Sequence, residues 1–297
     1  GGVTIAAIMP VDRDEEDWDD LQIVFATSAG DVRRNALSDF TNVKRNGKIA
    51  MKLDSDDALV GVQICTSESD VLLAAKGGKC IRFQATDVRL FKGRDSSGVR
   101  GMKLATGDSV IGVSILGHVE VDTEKRDAYL KARRSAGEDG VPEDYNGLDT
   151  EEYQDLYDRE EVLLSITENG YGKRTNAYEY RVTNRGGQGI INIETSSRNG
   201  QVVATMPVTP EHQVLLVTNG GKLIRTPIAD VRIAGRNTQG VTLFNTADGE
   251  QVVSVTALEE GKSDDEETDM EGNSDPTGDP VTGEAPAAPS GEEDDGS

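Results

Sequence analysis

Twelve lysines and arginines recur at matching places in short glycine-marked segments, and their spacing is the clearest chemical signal in the chain. Arg33, Arg34, Arg82, Lys173, Arg174 and Arg225 follow a glycine turn in TSAGDVRR (27–34), AKGGKCIR (75–82), TENGYGKR (167–174) and TNGGKLIR (218–225), with Lys79 and Lys222 beside that turn. Lys48, Arg100, Arg185 and Arg236 belong to a second Gly-rich turn, found in NGKIAMKL (46–53), SGVRGMKL (97–104), RGGQGIINI (185–193) and, just downstream of Arg236, NTQGVTLF (237–244). Cations of this kind hold phosphate without reading base sequence, and an adjacent glycine lets backbone N–H groups approach the same oxygens. Repeated once per structural unit, they would form a basic track suited to a bent polyanion. Bending a duplex of 20–30 bp costs about 1–6 kcal/mol, which such contacts can offset.

Other chemistry has little material. The chain has two histidines, His118 and His212, and two cysteines, Cys65 and Cys80, with no zinc or haem spacing among them. Buried free thiols in a reducing compartment are expected. No apolar run reaches membrane-spanning length, and GGVTIAAIMP at the start has neither a basic leader nor an initiator Met, which suggests a chain that begins inside something larger.

The net charge of -23 is unevenly distributed. Residues 259–297 carry fifteen acids and one lysine among Pro, Gly, Ser and Ala, so they bury too little apolar surface to offset ordering entropy and read as a disordered acidic tail. Residues 117–160 are net -8 and residues 12–20 net -6, which leaves +5 on the remaining body. The acid and the repeated cations therefore occupy different segments.

The elements that must position these cations follow from self-similarity. Each glycine turn follows an apolar β run such as QIVFA, VLLAA, VLLSI or VLLV, giving strand, tight turn, strand. A third recurring piece is an apolar alternation: TIAAIMPV, LVGVQI, DSVIGVSI, QVVATMPV and QVVSVTAL. Aligned glycines are 48 apart (Gly30 to Gly78) and 51 apart (Gly170 to Gly221), but 92 apart between Gly78 and Gly170, so one unit carries an insertion of about forty residues. That insertion, about 118–160, has helical spacing and an Asp149–Glu152 capping-box pattern, which predicts two short surface helices joined by a Gly/Pro loop. Short strands at a period near fifty predict an all-β ring of blades over residues 1–258. Because the chain starts and ends in the same repeat element, residues 5–9 and 25–34 are expected beside 241–255, closing a ring of five units or leaving it slightly open. The pattern is equally compatible with a propeller-like protein-interaction module, in which Gly turns and nearby Arg serve only fold and solubility.

At NGKIAMKL, SGVRGMKLATGD, ENGYGKRT and AGRNTQGVTLF the chain resembles the C-terminal domain of the bacterial DNA gyrase A subunit, over residues 3 to about 258. That resemblance implies a β-pinwheel, a propeller-like ring of about five to six blades, that binds duplex DNA and wraps it around its rim. It implies a place in an A2B2 holoenzyme with the gyrase B subunit and a second A subunit, an ATP-dependent type IIA topoisomerase that introduces negative supercoils. It also implies a cytoplasmic, chromosome-associated protein with no membrane partner, no catalytic site in this chain, and no cofactor here, ATP and Mg belonging to the holoenzyme. The family's box, Gln-Arg-Arg-Gly-Gly-Lys-Gly, is absent. Its nearest relative is TNRGGQG (183–189), with one arginine and with Gln188 where the box has lysine, so only a weak phosphate role passes to Arg185. The C-terminal domain of the topoisomerase IV A subunit, whose box is usually degenerate or missing, is the alternative within the same resemblance.

Overall fold

The computed structural model describes residues 7–9, 11, 18–41, 43, 47–93, 96–136 and 141–259. All of the acidic tail but Glu259 lies outside the described residues.

Four hairpins form the framework, each where an apolar run meets a glycine turn. They are β1 (Gln22–Thr27) with β2 (Asp31–Ala36), β4 (Ser69–Ala75) with β5 (Lys79–Gln84), β8 (Val162–Thr167) with β9 (Tyr171–Asn176), and β12 (His212–Thr218) with β13 (Leu223–Pro227). The alternating runs form inner strands β3 (Leu59–Cys65), β7 (Val110–Gly117), β11 (Val202–Val208) and β15 (Val252–Glu259), each antiparallel to the first strand of its own hairpin. Successive inner strands pack together, β3 on β7, β7 on β11 and β11 on β15. Gly61 permits the first of these approaches, since a Cβ there would stand 2.6 Å from a Val113 methyl.

The outer strands are exchanged. β6 (Val99–Arg100), β10 (Ile190–Ile191) and β14 (Val241–Thr242) each leave their own unit and pair with the second hairpin strand of the preceding blade, β2, β5 and β9. Three blades therefore have four strands, in the orders β3-β1-β2-β6, β10-β5-β4-β7 and β11-β8-β9-β14, and the fourth has three, β13-β12-β15. The result is an all-β, propeller-like arrangement with four blades among the described residues, where about five to six were expected. The expected closure is not what the strands do: residues 241–242 pair with β9 and β15 with β12, while the first sheet is already filled by β6. Exchange runs backward to the preceding blade in all three cases, so among the described residues the first and last blades share no strand; residues 5 and 6 of the expected closure lie outside the described residues.

Apolar side chains fill the joints between blades. Val24, Val32, Leu73, Ile81 and Phe83 are buried between the first and second, Leu72, Leu116, Leu163 and Tyr180 between the second and third, and Leu164, Val208, Leu216 and Ile228 between the third and fourth. Cys65 and Cys80 are buried free thiols, and burial pushes them up to about 11 and about 12. The insertion forms α1 (Thr123–Ser135) and α2 (Thr150–Asp158), the second opened by a reciprocal capping box between Asp149 and Glu152. Tyr129, Tyr153 and Leu156 of these helices bury against Tyr178, with the Tyr129 and Tyr178 rings edge to face at 5.3 Å.

Candidate nucleic-acid interface

The path of the exchanged strands builds the outer rim. After each of the last three hairpins a 3-10 turn leads to one parallel bridge with the preceding blade: Leu90 with Arg34, Val182 with Arg82, Ile233 with Arg174. The next residue donates its amide to the bridging arginine's carbonyl, Phe91 to Arg34, Thr183 to Arg82 and Ala234 to Arg174. The chain then bulges away from the blade edge and returns as β6, β10 or β14. The Gly/Arg segments singled out by sequence, SGVRG, NRGGQG and NTQG, lie in or beside these bulges.

Glycine here serves strand exchange. Gly189 has φ +71°, and a Cβ on it would lie 2.2 Å from the Cys80 carbonyl oxygen of the preceding blade. Across the same joint, Gly78 has φ +90°, and a Cβ there would lie 2.4 Å from the Ile193 carbonyl oxygen. The expectation that such glycines open the backbone to phosphate is replaced at these two positions by contact with protein backbone.

Several of the cations expected at a phosphate turn inward instead. Arg34 and Arg82 are buried, and Arg174 is half-buried. Each reaches from its blade to the carbonyls that follow the next hairpin. Arg34 Nε donates to Val88 O (2.7 Å), Arg82 Nη1 to Ala177 O (2.9 Å), and Arg174 to Val231 O (2.6 Å) and Ala229 O (3.0 Å). Arg82 also pairs with fully buried Asp70 through Nε at 2.8 Å and donates to Gly117 O at 2.9 Å. Asp70 in turn meets His118 Nδ1 at 2.9 Å. Burial lowers the Arg34 and Arg174 pKa values, yet a guanidinium stays charged under such shifts. These arginines are clamps between blades.

A second inward class lies beneath the bulges. Arg33 is fully buried, its guanidinium 4.6 Å from the Phe91 ring centre, and it donates to Ser96 O at 2.6 Å. Lys173, also fully buried, donates from Nζ to Gly235 O and Arg236 O, both at 2.7 Å. Burial pulls the Lys173 ammonium down to about 8, while Glu179 opposes the shift. At the equivalent place in the second blade stands Ile81, and the bulge 183–189 there covers a cavity of about 330 Å³ lined by Ile81, Arg181, Asn184 and Gln188. Arg33, Arg34, Arg82 and Lys173, expected at phosphates, are thus buried and donate to backbone carbonyls of the protein instead.

The remaining expected cations face outward to different degrees. Lys79, Arg100, Lys222 and Arg225 are exposed, Lys222 pairing with Glu250 at 2.7 Å and Arg225 donating to Gln213. Lys48 is half-buried, donating to Asp39 O near the Phe40 ring. Half-buried Arg185 and Arg236 connect neighbouring bulges, donating to the equivalent carbonyls Arg100 O (2.9 Å) and Ile191 O (2.8 Å). Lys103 N to Gly187 O, Gly186 N to Gly101 O and Glu194 N to Thr238 O complete a hydrogen-bonded belt along the rim.

Three further cations on that belt were not among those expected. Arg89, Arg181 and Arg232 are all exposed and stand one residue before the parallel bridge in three successive units. Their signal is an arginine between apolar or aromatic residues, VRL, YRV and VRI, seven residues after Arg82, Arg174 and Arg225. No glycine turn marks it. Among the described residues no His, Cys, Asp and Glu come together as a metal site, and no helix is long and apolar enough to cross a membrane.

Four like units, three of them completed by an exchanged outer strand, define a propeller-like β domain. The family described as the DNA gyrase C-terminal domain, beta-propeller, matches residues 22–66, 69–116, 161–209 and 212–259, one segment per blade, and the chain belongs to that family. It is 48% identical to the DNA gyrase A subunit of Granulibacter bethesdensis, covering 98% of this chain and 32% of that protein. It is 45% identical to the DNA gyrase A subunit of Rickettsia bellii, covering 90% of this chain and 30% of that protein. The chain thus spans about a third of the length of these relatives. A solved DNA gyrase A C-terminal domain superposes with TM-score 0.59 at 25% identity, over 81% of this chain and 66% of that one. The C-terminal domain of a DNA topoisomerase IV superposes with TM-score 0.63 at 18% identity, over 87% of this chain and 71% of that one, a likeness of fold.

Proposed function

We propose that this chain binds duplex DNA along its outer belt and bends it across successive blades, as the C-terminal part of a gyrase A subunit. The observation that carries the reading is the recurrence of exposed Arg89, Arg181 and Arg232 at one register in three units, on loops joined into a single belt. Lys79, Arg100, Arg185 and Arg225 add charge to the same outer edges. Contacts of this type release counterions, so affinity falls linearly with salt on logarithmic axes by about 0.9 per phosphate neutralised. Bulge contacts from blades set at an angle to one another favour a curved path, as wrapping requires. In the whole protein, with a second A subunit and the gyrase B subunit, that path would present a DNA segment for ATP-driven strand passage and negative supercoiling, in a cytoplasmic setting. The catalytic steps would lie outside this chain.

Fluorescence anisotropy on duplexes of 20 to 60 bp across a salt titration tests the reading. A steep slope that grows with duplex length supports binding along the belt. Weak, salt-insensitive binding would overturn it and favour a protein-interaction propeller.

A further inference from the structure

The helical insertion is the most acidic part of the folded body, yet its first helix carries a basic end that meets the belt. Arg134, in the last turn of α1, has two-thirds of its side chain exposed (67%) and contacts Glu179 through Nη2 at 3.3 Å. The other oxygen of Glu179 accepts the backbone N–H of Arg236 at 2.9 Å. One carboxylate therefore joins the C-terminal turn of α1 to the bulge 234–240 of the third blade, the bulge that Lys173 holds from beneath. Exposed Lys131 stands one turn before Arg134 on the same helix face.

The rest of the helix is fixed firmly enough to hold that end in place. Asp122 caps its first turn by accepting the Lys125 N–H at 2.8 Å, and Tyr129 and Ala132 are fully buried. Tyr129 donates to Glu160 at 2.5 Å, and Arg133 meets the same carboxylate at 3.2 Å. Among the described residues, Asp127 is paired with Arg126 at 2.8 Å and Glu179 is shared between Arg134 and the Arg236 amide, while Glu138 and Asp139 lie outside the described residues.

We infer that Lys131 and Arg134 extend the belt, giving duplex DNA a phosphate contact on α1 beside the third bulge. This rests on the reading of the belt as a DNA path. The occupant is duplex DNA because the patch is cationic, exposed and continuous with the belt through Glu179. The insertion then adds a contact site in the one interval where the repeat spacing is broken by extra chain.

The test compares Lys131→Gln/Arg134→Gln with Lys125→Gln/Arg126→Gln, an equal charge change at the other end of the same helix, in anisotropy salt titrations on a 40 bp duplex. Circular dichroism melting confirms that both variants are folded. The expected result is a salt slope lower by about 1–2 for the Lys131/Arg134 variant, near 0.9 per lost phosphate, and a several-fold weaker affinity at low salt, with the control close to wild type. An unchanged slope, or an equal loss in both variants, overturns the inference. The first would leave the helix end to a protein partner and the second would reduce it to a net-charge effect. A steep wild-type slope in the same titration shows that the belt reading stands even where this inference fails.

Discussion

Arg82 and Arg225 occupy the same place in the repeat and live in opposite surroundings. Both end a Gly-Lys-containing hairpin, and both reach across the strand pair to a polar side chain, Arg82 to Asp70 and Arg225 to Gln213. In the second blade the following unit lies over the arginine, brings the Ala177 carbonyl to it and leaves it 4% exposed. In the fourth blade the outer edge has no fourth strand among the described residues, and Arg225 is exposed. A repeated cation is thus a joint where the next unit covers it and a surface charge where none does. Gly78 and Gly221 repeat the lesson: a Cβ on the first would meet the Ile193 carbonyl at 2.4 Å, and a Cβ on the second would meet nothing within 4 Å.

The largest effect should come from breaking the buried joint. Arg82→Ala leaves Asp70 buried without its guanidinium partner and removes the arginine's hydrogen bonds to the Ala177 and Gly117 carbonyls, a loss of about 3–5 kcal/mol for a buried ion pair. Arg225→Ala should stay within about 0.5 kcal/mol of wild type. Chemical denaturation of both variants checks the contrast, and equal destabilisation would erase it.

The glycine pair sharpens the comparison. Both positions have positive φ, so either Gly→Ala substitution costs about 1–2 kcal/mol in backbone conformation alone. Gly78→Ala must also displace the exchanged strand, so its midpoint in urea should fall well below that of Gly221→Ala. Matching midpoints would mean that the joint yields freely.

A smaller effect depends on pH. The Lys173 ammonium is depressed in the fold from its ordinary value near 10.5 to about 8. Below pH 8 both folded and unfolded states hold the proton and stability from this group is flat. Between about pH 8 and 10.5 only the unfolded state holds it, so the bulge gains stability as pH rises. Wild type should therefore gain on Lys173→Met between about pH 7.5 and 10 in paired denaturation curves. A constant difference would show that the ammonium is not strained by burial.

Much of the architecture was legible because its signals are local. Hairpins announce themselves by a glycine after an apolar run, and the α2 cap by Asp149 and Glu152 three positions apart. The insertion showed as a broken spacing, and the two cysteines, lacking any ligand spacing, as buried free thiols. The roles of Arg34, Arg82 and Lys173 were not legible, because their partners Val88, Ala177 and Gly235 lie 54, 95 and 62 residues away and arrive only through strand exchange. The exact blade count and the pairing of the chain's ends were not legible for the same reason, since pairing each outer strand with the blade before it is a property of the assembled sheet. Arg89, Arg181 and Arg232 were hidden in plain repeats that contain no glycine.

The most direct test of the distinction between clamps and contacts is the triple variant Arg89→Gln/Arg181→Gln/Arg232→Gln, folded by circular dichroism and titrated with salt against a 40 bp duplex. The account predicts a stability within about 1 kcal/mol of wild type, as for surface substitutions, and a salt slope lower by up to about 2.7, near 0.9 for each lost phosphate. A wild-type slope in the folded triple variant would contradict it.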